Sequence, residues 1–467
     1  MSHEALGERR KRRFSFTRLA VLVALPLAAI GAAATLRVGP PPTISIEPEL
    51  PAIGPRTPVT VRFEETERGL GDIRLELVQG DRIELLADRQ HTPTGPLEPW
   101  GAKTESDSLE LEVGSETVEG LREGEIVLRA TAARAGTWLR SPAPSVQELA
   151  LPVRLRPPAV SVLSIQHYPT QGGAEAVVYR VGSSATRHGV QAGEAWFPGF
   201  DLQGGGEGVR FALFGVPFDL ADSSQIRLVA EDEVGNRATA SFVDRFFPKA
   251  YSTDDIQVGD NFLAKVVPEI LAQTPGAPRH DSQLEDYLYI NRSLRRANAE
   301  ELDGLAASSP PEFLWRESFL PMPNAQVMSS FADRRTYYYD GREVDQQDHL
   351  GFDLASVRHA PLPAANDGVA VLARYFGIYG NAVVLDHGYG LMTLYGHLSS
   401  IDVAEGASVT RGQIIGRSGE TGLAGGDHLH FEILLHGTSV NPVEWWDDKW
   451  IRDRLERKLS PALVLAP

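Results

Sequence analysis

Two histidines in the segment GGDHLHFEI, residues 425–433, are separated by a single leucine. If this segment is a β-strand, alternate side chains share one face, so His428 and His430 project together while Leu429 faces the core. A neutral imidazole is a good zinc ligand, and an imidazole with a pKa near 6.5 also suits proton transfer. The pair therefore predicts one histidine for a metal and one for a proton, and the spacing alone leaves open which is which.

A second segment, QDHLGFDLA, offers the rest of a metal site. In a strand His349, Gly351 and Asp353 share one face, and the glycine leaves room between an imidazole and a carboxylate. Together with one histidine of the 428/430 pair they would make a site of two histidines and one aspartate. Such a site leaves the fourth zinc position open to water, whose pKa zinc lowers toward about 7.

The histidines concentrate in one region of the chain. Seven of the twelve lie between His349 and His436, which places any metal chemistry in one domain. His397 follows a predicted strand in MTLYGHLSS, and His387 lies beside a glycine turn in LDHGYG. Each of these two could belong to the site or be a solvated turn histidine.

Composition excludes several classes of protein. The formal net charge of -17 argues against a large nucleic-acid-binding face, so no nucleic-acid partner is expected. Because the chain contains no cysteine, disulfides, cysteine-ligated zinc and thiol nucleophiles are excluded. The 467 residues exceed the roughly 100–200 residues of one domain, so several domains are expected.

The amino terminus predicts export. A basic block, Arg9–Arg13, precedes an uncharged run of 18 residues, Leu19–Leu36. The length favours a transmembrane signal anchor over 19–38, with the basic segment 1–18 in the cytoplasm and the bulk of the chain outside. The alternative is a cleaved signal peptide ending at Ala32-Ala33-Ala34.

The remaining pattern predicts a multidomain, mainly β protein. Short alternating apolar runs between glycine and proline indicate two β-sandwich-like modules at 41–156 and 157–248, which would serve as spacers or docking modules. Apolar residues three and four apart indicate a helical linker at 254–308, whose first helix should kink or end at Pro268. Strands with glycine turns then predict a C-terminal antiparallel β-sheet domain at 319–446, closed by a helix and tail at 447–467.

This C-terminal region resembles the lysostaphin-type (LytM-like) zinc metallopeptidases, which are peptidoglycan endopeptidases. The resemblance covers about a quarter of the chain, residues 321–442. It runs in the family's order through the segments HLGFD, AANDG, YGNAVVLDHGYG, TLYGHLS, VTRGQIIGRSGETGLAGGDHLHFEI and VNP.

The resemblance implies a role for each candidate residue. His349, Asp353 and His430 match the family's ligands for one zinc ion. His428 matches the catalytic histidine beside the metal-bound water. His397 matches a second catalytic histidine that orients water or stabilises the oxyanion.

One departure from the family pattern is visible upstream. The segment FADRR, Phe331–Arg335, resembles the entry to the family's catalytic domain, but Ala332 stands where many relatives carry glycine. We expect a local change of the backbone there.

The function implied is zinc-dependent hydrolysis of peptide cross-links in bacterial peptidoglycan. Two alternatives come from other classes: a non-catalytic wall-binding regulator that activates another hydrolase, and a wall scaffold in which the β modules do the binding. The intact ligand set favours the enzyme. The expected location is a single-pass protein of the cytoplasmic membrane with its bulk on the periplasmic or cell-wall side. The β modules could bind a protein partner.

Overall fold

A computed structural model describes residues 16–95, 98, 100–137 and 139–466. The basic block Arg9–Arg13 lies outside these residues. The chain divides into two compact units, one comprising residues up to 156 with 233–236, the other 157–232 and the chain from 237 onward. The architecture is mainly β, as predicted.

The first unit contains one helix followed by two antiparallel sheets. Its elements are α1 (Phe16–Leu36), β1 (Thr43–Pro48), β2 (Thr57–Glu64), β3 (Leu70–Gln79), β4 (Arg82–Arg89), β5 (Ser106–Val113), β6 (Gly124–Arg134) and β7 (Ser145–Val153). The sheets have the strand orders β1-β2-β5 and β4-β3-β6-β7. Alternating buried positions of both sheets, such as Val61 on β2 and Leu75 on β3, form one apolar core.

The membrane anchor predicted over 19–38 is not confirmed. Within the part of the chain that the structure describes, no helix has the length and hydropathy that crossing a bilayer requires.

The second unit begins with another pair of antiparallel sheets. Its strands are β8 (Val160–Val162), β9 (Ala174–Val181), β10 (Arg187–Ala192), β11 (Ala195–Pro198), β12 (Phe200–Asp201), β13 (Val209–Gly215), β14 (Ile226–Glu231) and β15 (Arg237–Ala240), with a 3-10 turn at Ser223–Gln225. The strand orders are β11-β10-β14-β15 and β12-β13-β9-β8. Buried residues of this segment and of the C-terminal domain belong to one continuous apolar core. Phe211 on β13, for example, packs on Phe313 and Tyr389.

A helical segment follows, formed by β16 (Thr253–Gln257), α2 (Asp260–Ala272), α3 (Gln283–Tyr289), a π-helical turn (Ile290–Leu294) and α4 (Arg295–Ala307). Ser282 and Glu285 cap the start of α3 reciprocally. Pro268 does not end the first helix, as the sequence analysis allowed, because α2 continues past this proline to Ala272. Buried side chains on both sides of the proline, Val266 and Ile270 among them, offset the lost hydrogen bond.

The C-terminal domain contains one large antiparallel sheet of eight strands and further strands outside that sheet. Its strands are β17 (Gln326–Ser329), β18 (Asp333–Tyr339), β19 (Arg342–His349), β20 (Phe352–Ala355), β21 (Pro361–Pro363), β22 (Gly368–Tyr375), β23 (Asn381–Asp386), β24 (Leu391–Leu398), β25 (Ser400–Ile401), β26 (Ser408–Val409), β27 (Ile414–Arg417), β28 (Leu429–Leu435) and β29 (Thr438–Val440). The order β17-β20-β28-β24-β23-β22-β26, with β29 beside β28, makes the large sheet. Two three-stranded sheets, β16-β18-β19 and β21-β27-β25, flank it.

Short helical turns complete this domain. They are a 3-10 turn at Gly377–Tyr379, α5 (Pro442–Trp446), α6 (Asp448–Ile451), a π-helical turn at Arg452–Glu456 and α7 (Arg457–Leu459).

The helical segment packs against the C-terminal domain on several sides. Glu269 on α2 accepts hydrogen bonds from the hydroxyl of Tyr375 (3.1 Å) and the amide of Gly422 (3.0 Å). Lys265 forms an ion pair of 2.8 Å with Glu420. On the opposite side Asn291 donates to the buried Asp345 at 2.8 Å. The segment therefore packs against the C-terminal domain and is more than the linker that the sequence predicted.

The end of the chain is fixed on β9 by a hydrogen bond to Glu444 and by a buried ion pair. The amide of Ala174 donates to Glu444 at 2.7 Å, and Lys458 pairs with the fully buried Glu175 at 2.9 Å. Burial, reinforced by the nearby Glu175 carboxylate and opposed by the Ala174 amide, raises the pKa of Glu444 to about 8. Folding therefore favours the protonated form of this side chain.

This raised pKa predicts a pH-dependent gain of stability in Glu444→Gln. Since the folded chain holds the proton more tightly than an ordinary glutamate does, the wild type loses stability as the pH rises from about 4.5 to about 8. Glutamine keeps an acceptor for Ala174 and cannot ionise. At pH 9 the variant should melt at least ~3 °C above the wild type, and at pH 4 the two should agree. The exposed Glu207→Gln serves as the control; a difference that is the same at both pH values would contradict the assignment.

Candidate metal centre

Three side chains converge where β19 ends and β20 lies beside β28. Asp353 on β20 is directly opposite His430 on β28, and His349 is the last residue of β19. Asp353 Oδ1 lies 2.9 Å from His349 Nε2 and 3.0 Å from His430 Nδ1, and those two nitrogens are 3.0 Å apart. All three residues are buried. Ligands at 2.0–2.1 Å in a tetrahedron lie about 3.3 Å apart, so this donor set fits one zinc ion after a small expansion.

The ring of His349 is held by a tight turn of the backbone. Its Nδ1 lies 3.0 Å from the carbonyl of Ser330, which can only accept, so Nδ1 carries the proton and Nε2 faces the other ligands. In the same turn the amide of Ala332 donates to the carbonyl of His349 at 2.6 Å. Ala332 has a φ of +64°, a left-handed conformation that glycine adopts freely and alanine at a cost of about 1–2 kcal/mol. The alanine therefore adopts a glycine-like conformation.

His430 is oriented by a residue that the sequence reasoning missed. Its Nε2 lies 2.7 Å from the carboxylate of Glu432, which also accepts from the hydroxyl of Tyr379 at 3.0 Å. A carboxylate on the far nitrogen fixes the ring and raises its basicity as a ligand. The alternation that paired His428 with His430 also places Glu432 on the same face, so this signal was available.

Arg335 is the second residue that was missed. It lies on β18, and its Nη2 donates to the Oδ2 of Asp353 at 2.7 Å, leaving Oδ1 toward the histidines. Burial alone would raise the pKa of the Asp353 carboxyl, but its close contacts with His349, His428 and His430 hold that pKa well below its ordinary 3.8. Asp353 is therefore ionised, as a metal ligand must be.

The two predicted catalytic histidines lie beside the ligands. His428 immediately precedes β28, and its Nε2 is 3.5 Å from the Oδ1 of Asp353. The His397 ring lies 4.8 Å from the His428 ring and 5.7 Å from the His430 ring, centroid to centroid. Their Nδ1 atoms lie 2.8 Å from backbone carbonyls, those of Gly426 for His428 and Thr421 for His397. Both Nδ1 atoms must therefore be donors, and both Nε2 atoms are left as acceptors.

Two further features distinguish these imidazoles. Burial holds the pKa of His397 well below 6.5, so this ring is neutral at pH 7, and its φ of +64° marks a backbone strained at the site. Burial would also lower the pKa of His430, but hydrogen bonds to Asp353 and Glu432 outweigh it and raise the pKa to about 9. The carboxylates around His430 thus make this position favourable for a cation.

His387 takes no part in the centre and is not a solvated turn residue. Its side chain is fully buried, with Nδ1 2.6 Å from the carbonyl of Asp367 and Nε2 2.8 Å from the hydroxyl of Thr393. Burial lowers its pKa to about 4. It is a core histidine with both nitrogens satisfied.

Comparison with known proteins agrees with this geometry. Residues 347–442 match the family model described as Peptidase family M23. The chain is 34% identical over 162 residues to the peptidoglycan DD-endopeptidase ShyA of Vibrio cholerae, covering 35% of each protein. It is 45% identical over 95 residues to the DD-carboxypeptidase/endopeptidase Mpg of Neisseria meningitidis, covering 20% of this chain and 22% of Mpg. The resemblance to the lysostaphin-type peptidases is confirmed for this domain, while the chain spans only about a third of ShyA and a fifth of Mpg.

The geometry predicts that two substitutions lower the zinc affinity by different amounts. Asp353→Ala removes a ligand and should abolish tight zinc binding. Glu432→Gln keeps all three ligands but weakens the support of His430, so zinc affinity should fall about 10–100-fold. Both affinities can be measured by competition with a chromophoric chelator. An affinity of Glu432→Gln equal to that of the wild type would remove Glu432 from the site.

Proposed function

We propose that this protein is a zinc-dependent endopeptidase that hydrolyses the peptide cross-links of bacterial peptidoglycan. The observation that carries the proposal is a His-Asp-His group that could hold a metal ion, with two further histidines beside it whose Nδ1 atoms are held by backbone carbonyls. The relatives named peptidoglycan DD-endopeptidases support the substrate class.

The ligand set would hold one zinc ion through His349 Nε2, Asp353 Oδ1 and His430 Nδ1. When bound, the ion supplies Lewis acidity toward the scissile carbonyl and toward water. The protein's own contribution is to keep the ligands in the required state: Asp353 ionised by its hydrogen bonds, His349 turned by Ser330 and His430 turned by Glu432. Each ring therefore enters the site in a single orientation.

His428 is placed for proton transfer. Its Nδ1–H is held by the carbonyl of Gly426, so its Nε2, beside Asp353, is free to take a proton from the attacking water. The same atom can then return that proton to the departing amine, which completes the hydrolysis with no net change at the histidine.

His397 is suited to holding water. Because its Nδ1 donates to Thr421 and the ring is neutral, its Nε2 can accept a hydrogen bond from a water molecule but has no proton to offer an oxyanion. Of the two roles expected for this residue, the geometry favours orientation of the attacking water.

A non-catalytic regulator that activates another hydrolase is the alternative function. Such a protein has no need of a ligand set, an orienting carboxylate and two acceptor imidazoles in one place. The arrangement around Asp353 therefore favours the enzyme over both the regulator and the scaffold.

Export to the compartment that holds the substrate is part of the proposal. Peptidoglycan lies outside the cytoplasmic membrane, and the basic block followed by the uncharged run Leu19–Leu36 is typical of an export signal. A reporter that is active only outside the cytoplasm, fused after Pro467, should be active. Neutralising Arg9–Arg13 should reduce its activity. An inactive reporter on a stable, full-length fusion would argue against export.

His428→Ala tests the catalytic assignment. The variant should bind as much zinc as the wild type, because all three ligands remain, and should lose about 10²–10⁴-fold in the rate of muropeptide release from purified peptidoglycan. Release is measured by chromatography and mass analysis of the fragments. The exposed His359→Ala is the matched control and should retain wild-type rates. Loss of zinc in His428→Ala would make His428 a ligand.

A further inference from the structure

A cavity of about 310 Å³ opens beside the metal centre and is lined in part by the helical segment. One wall is apolar, with Ile256 on β16, Phe262 on α2 and Leu423 among its residues. His349, Asp353 and His428 lie at its inner end. The cavity is therefore close enough to the proposed ligands to receive a substrate residue that adjoins a scissile bond held there.

Two arginines line the cavity. Arg335 lies at its inner end, bound through Nη2 to Asp353, while its Nε is buried and has no hydrogen-bond partner among the described residues. Arg295, at the start of α4, is held through Nε and Nη2 by the backbone carbonyl and the side-chain oxygen of Asn291. Burial raises the pKa of the Tyr287 phenol, and the nearby guanidinium groups of Arg295 and Arg335 oppose that shift; Tyr287 lines the same cavity.

The positive charge of this pair is not balanced within the cavity. Arg295 forms no ion pair in the part of the chain that the structure describes, and the single carboxylate on Arg335 is the metal ligand Asp353. The nearby Asp345 is occupied by Asn291 and Arg292. Arg295 is partly buried and lacks a carboxylate partner among the described residues, so a ligand that supplies a carboxylate would be bound favourably there. The planar fork of an arginine matches a carboxylate in particular.

We propose that this cavity is a substrate subsite that binds a free carboxylate, carried by the residue adjacent to the scissile amide. Arg335 and Arg295 hold the carboxylate, and the apolar wall holds the rest of that residue. The inference rests on the proposed function and deepens it, because it makes the enzyme selective for cross-links flanked by an unmodified carboxyl group. Conversion of that carboxyl to an amide would protect the cross-link.

The test uses two synthetic cross-linked peptide dimers that differ only in whether the carboxyl beside the cross-link is free or amidated. The zinc-loaded full chain should cleave the free form with a kcat/KM about 10–100-fold higher. Arg295→Gln should lose most of this preference by slowing cleavage of the free form, with unchanged zinc content. Arg296→Gln, an exposed neighbour on the same helix, should keep the preference. Equal cleavage of both dimers by the wild type, or an unchanged preference in Arg295→Gln, would overturn the subsite.

Binding separates this inference from the proposed function. Zinc-loaded His428→Ala should bind the free dimer about 10–100-fold more tightly than the amidated dimer by calorimetry, and the double variant with Arg295→Gln should not. Equal binding of the two dimers would overturn the subsite even if the wild type hydrolyses both. Selective binding together with no hydrolysis by the wild type would retain the subsite and refute the endopeptidase.

Discussion

The strand register that sets Asp353 opposite His430 is the constraint on which the centre depends. In an antiparallel pair, facing residues have their Cβ atoms about 4.5–5.5 Å apart, which suits two ligands of one ion. A shift of one residue would turn every side chain of β28 to the other face and would exchange both histidines and Glu432 for apolar residues. The buried apolar residues of β28 that face the other way, such as Leu429 and Ile433, oppose such a shift. The packing of the sheet and the geometry of the centre therefore specify the same register.

Around that pair, the protein fixes each imidazole through its second nitrogen. Three rings donate to backbone carbonyls and the fourth meets a carboxylate, so no ring of the four can rotate without losing a hydrogen bond. The carboxylate partner is found at the proposed ligand His430, whereas the other proposed ligand, His349, and the two catalytic candidates have neutral backbone partners. The chemistry of each histidine thus depends on the hydrogen-bond partner of its second ring nitrogen as well as on the neighbours of the first.

The ligands and catalytic candidates could be predicted because they follow from alternation within a strand and from family motifs. Glu432 obeys the same alternation and could have been found. Arg335 could not, since its approach to Asp353 depends on the pairing of β18 with β19, which contains an irregularity between Tyr337 and Tyr338. The helices within 254–308 were visible from their periodicity, but the prediction is wrong at its start, because Thr253–Gln257 is a strand that pairs with β18. Periodicity shows that a helix has an apolar face but not which surface that face covers. The sequence therefore could not predict that these helices line the cavity beside the metal centre.

The continuous core between the sheets of 157–248 and the C-terminal domain determines where this protein can be cut. The family match begins at residue 347, which suggests expressing a fragment that starts there. Such a fragment would expose Tyr389, Phe313 would be missing, and the carboxylate of Glu444 would lose the amide of Ala174. The shortest piece expected to fold by itself starts near Pro157, so segments of this chain that lie far from the metal centre belong to the same folding unit as the C-terminal domain.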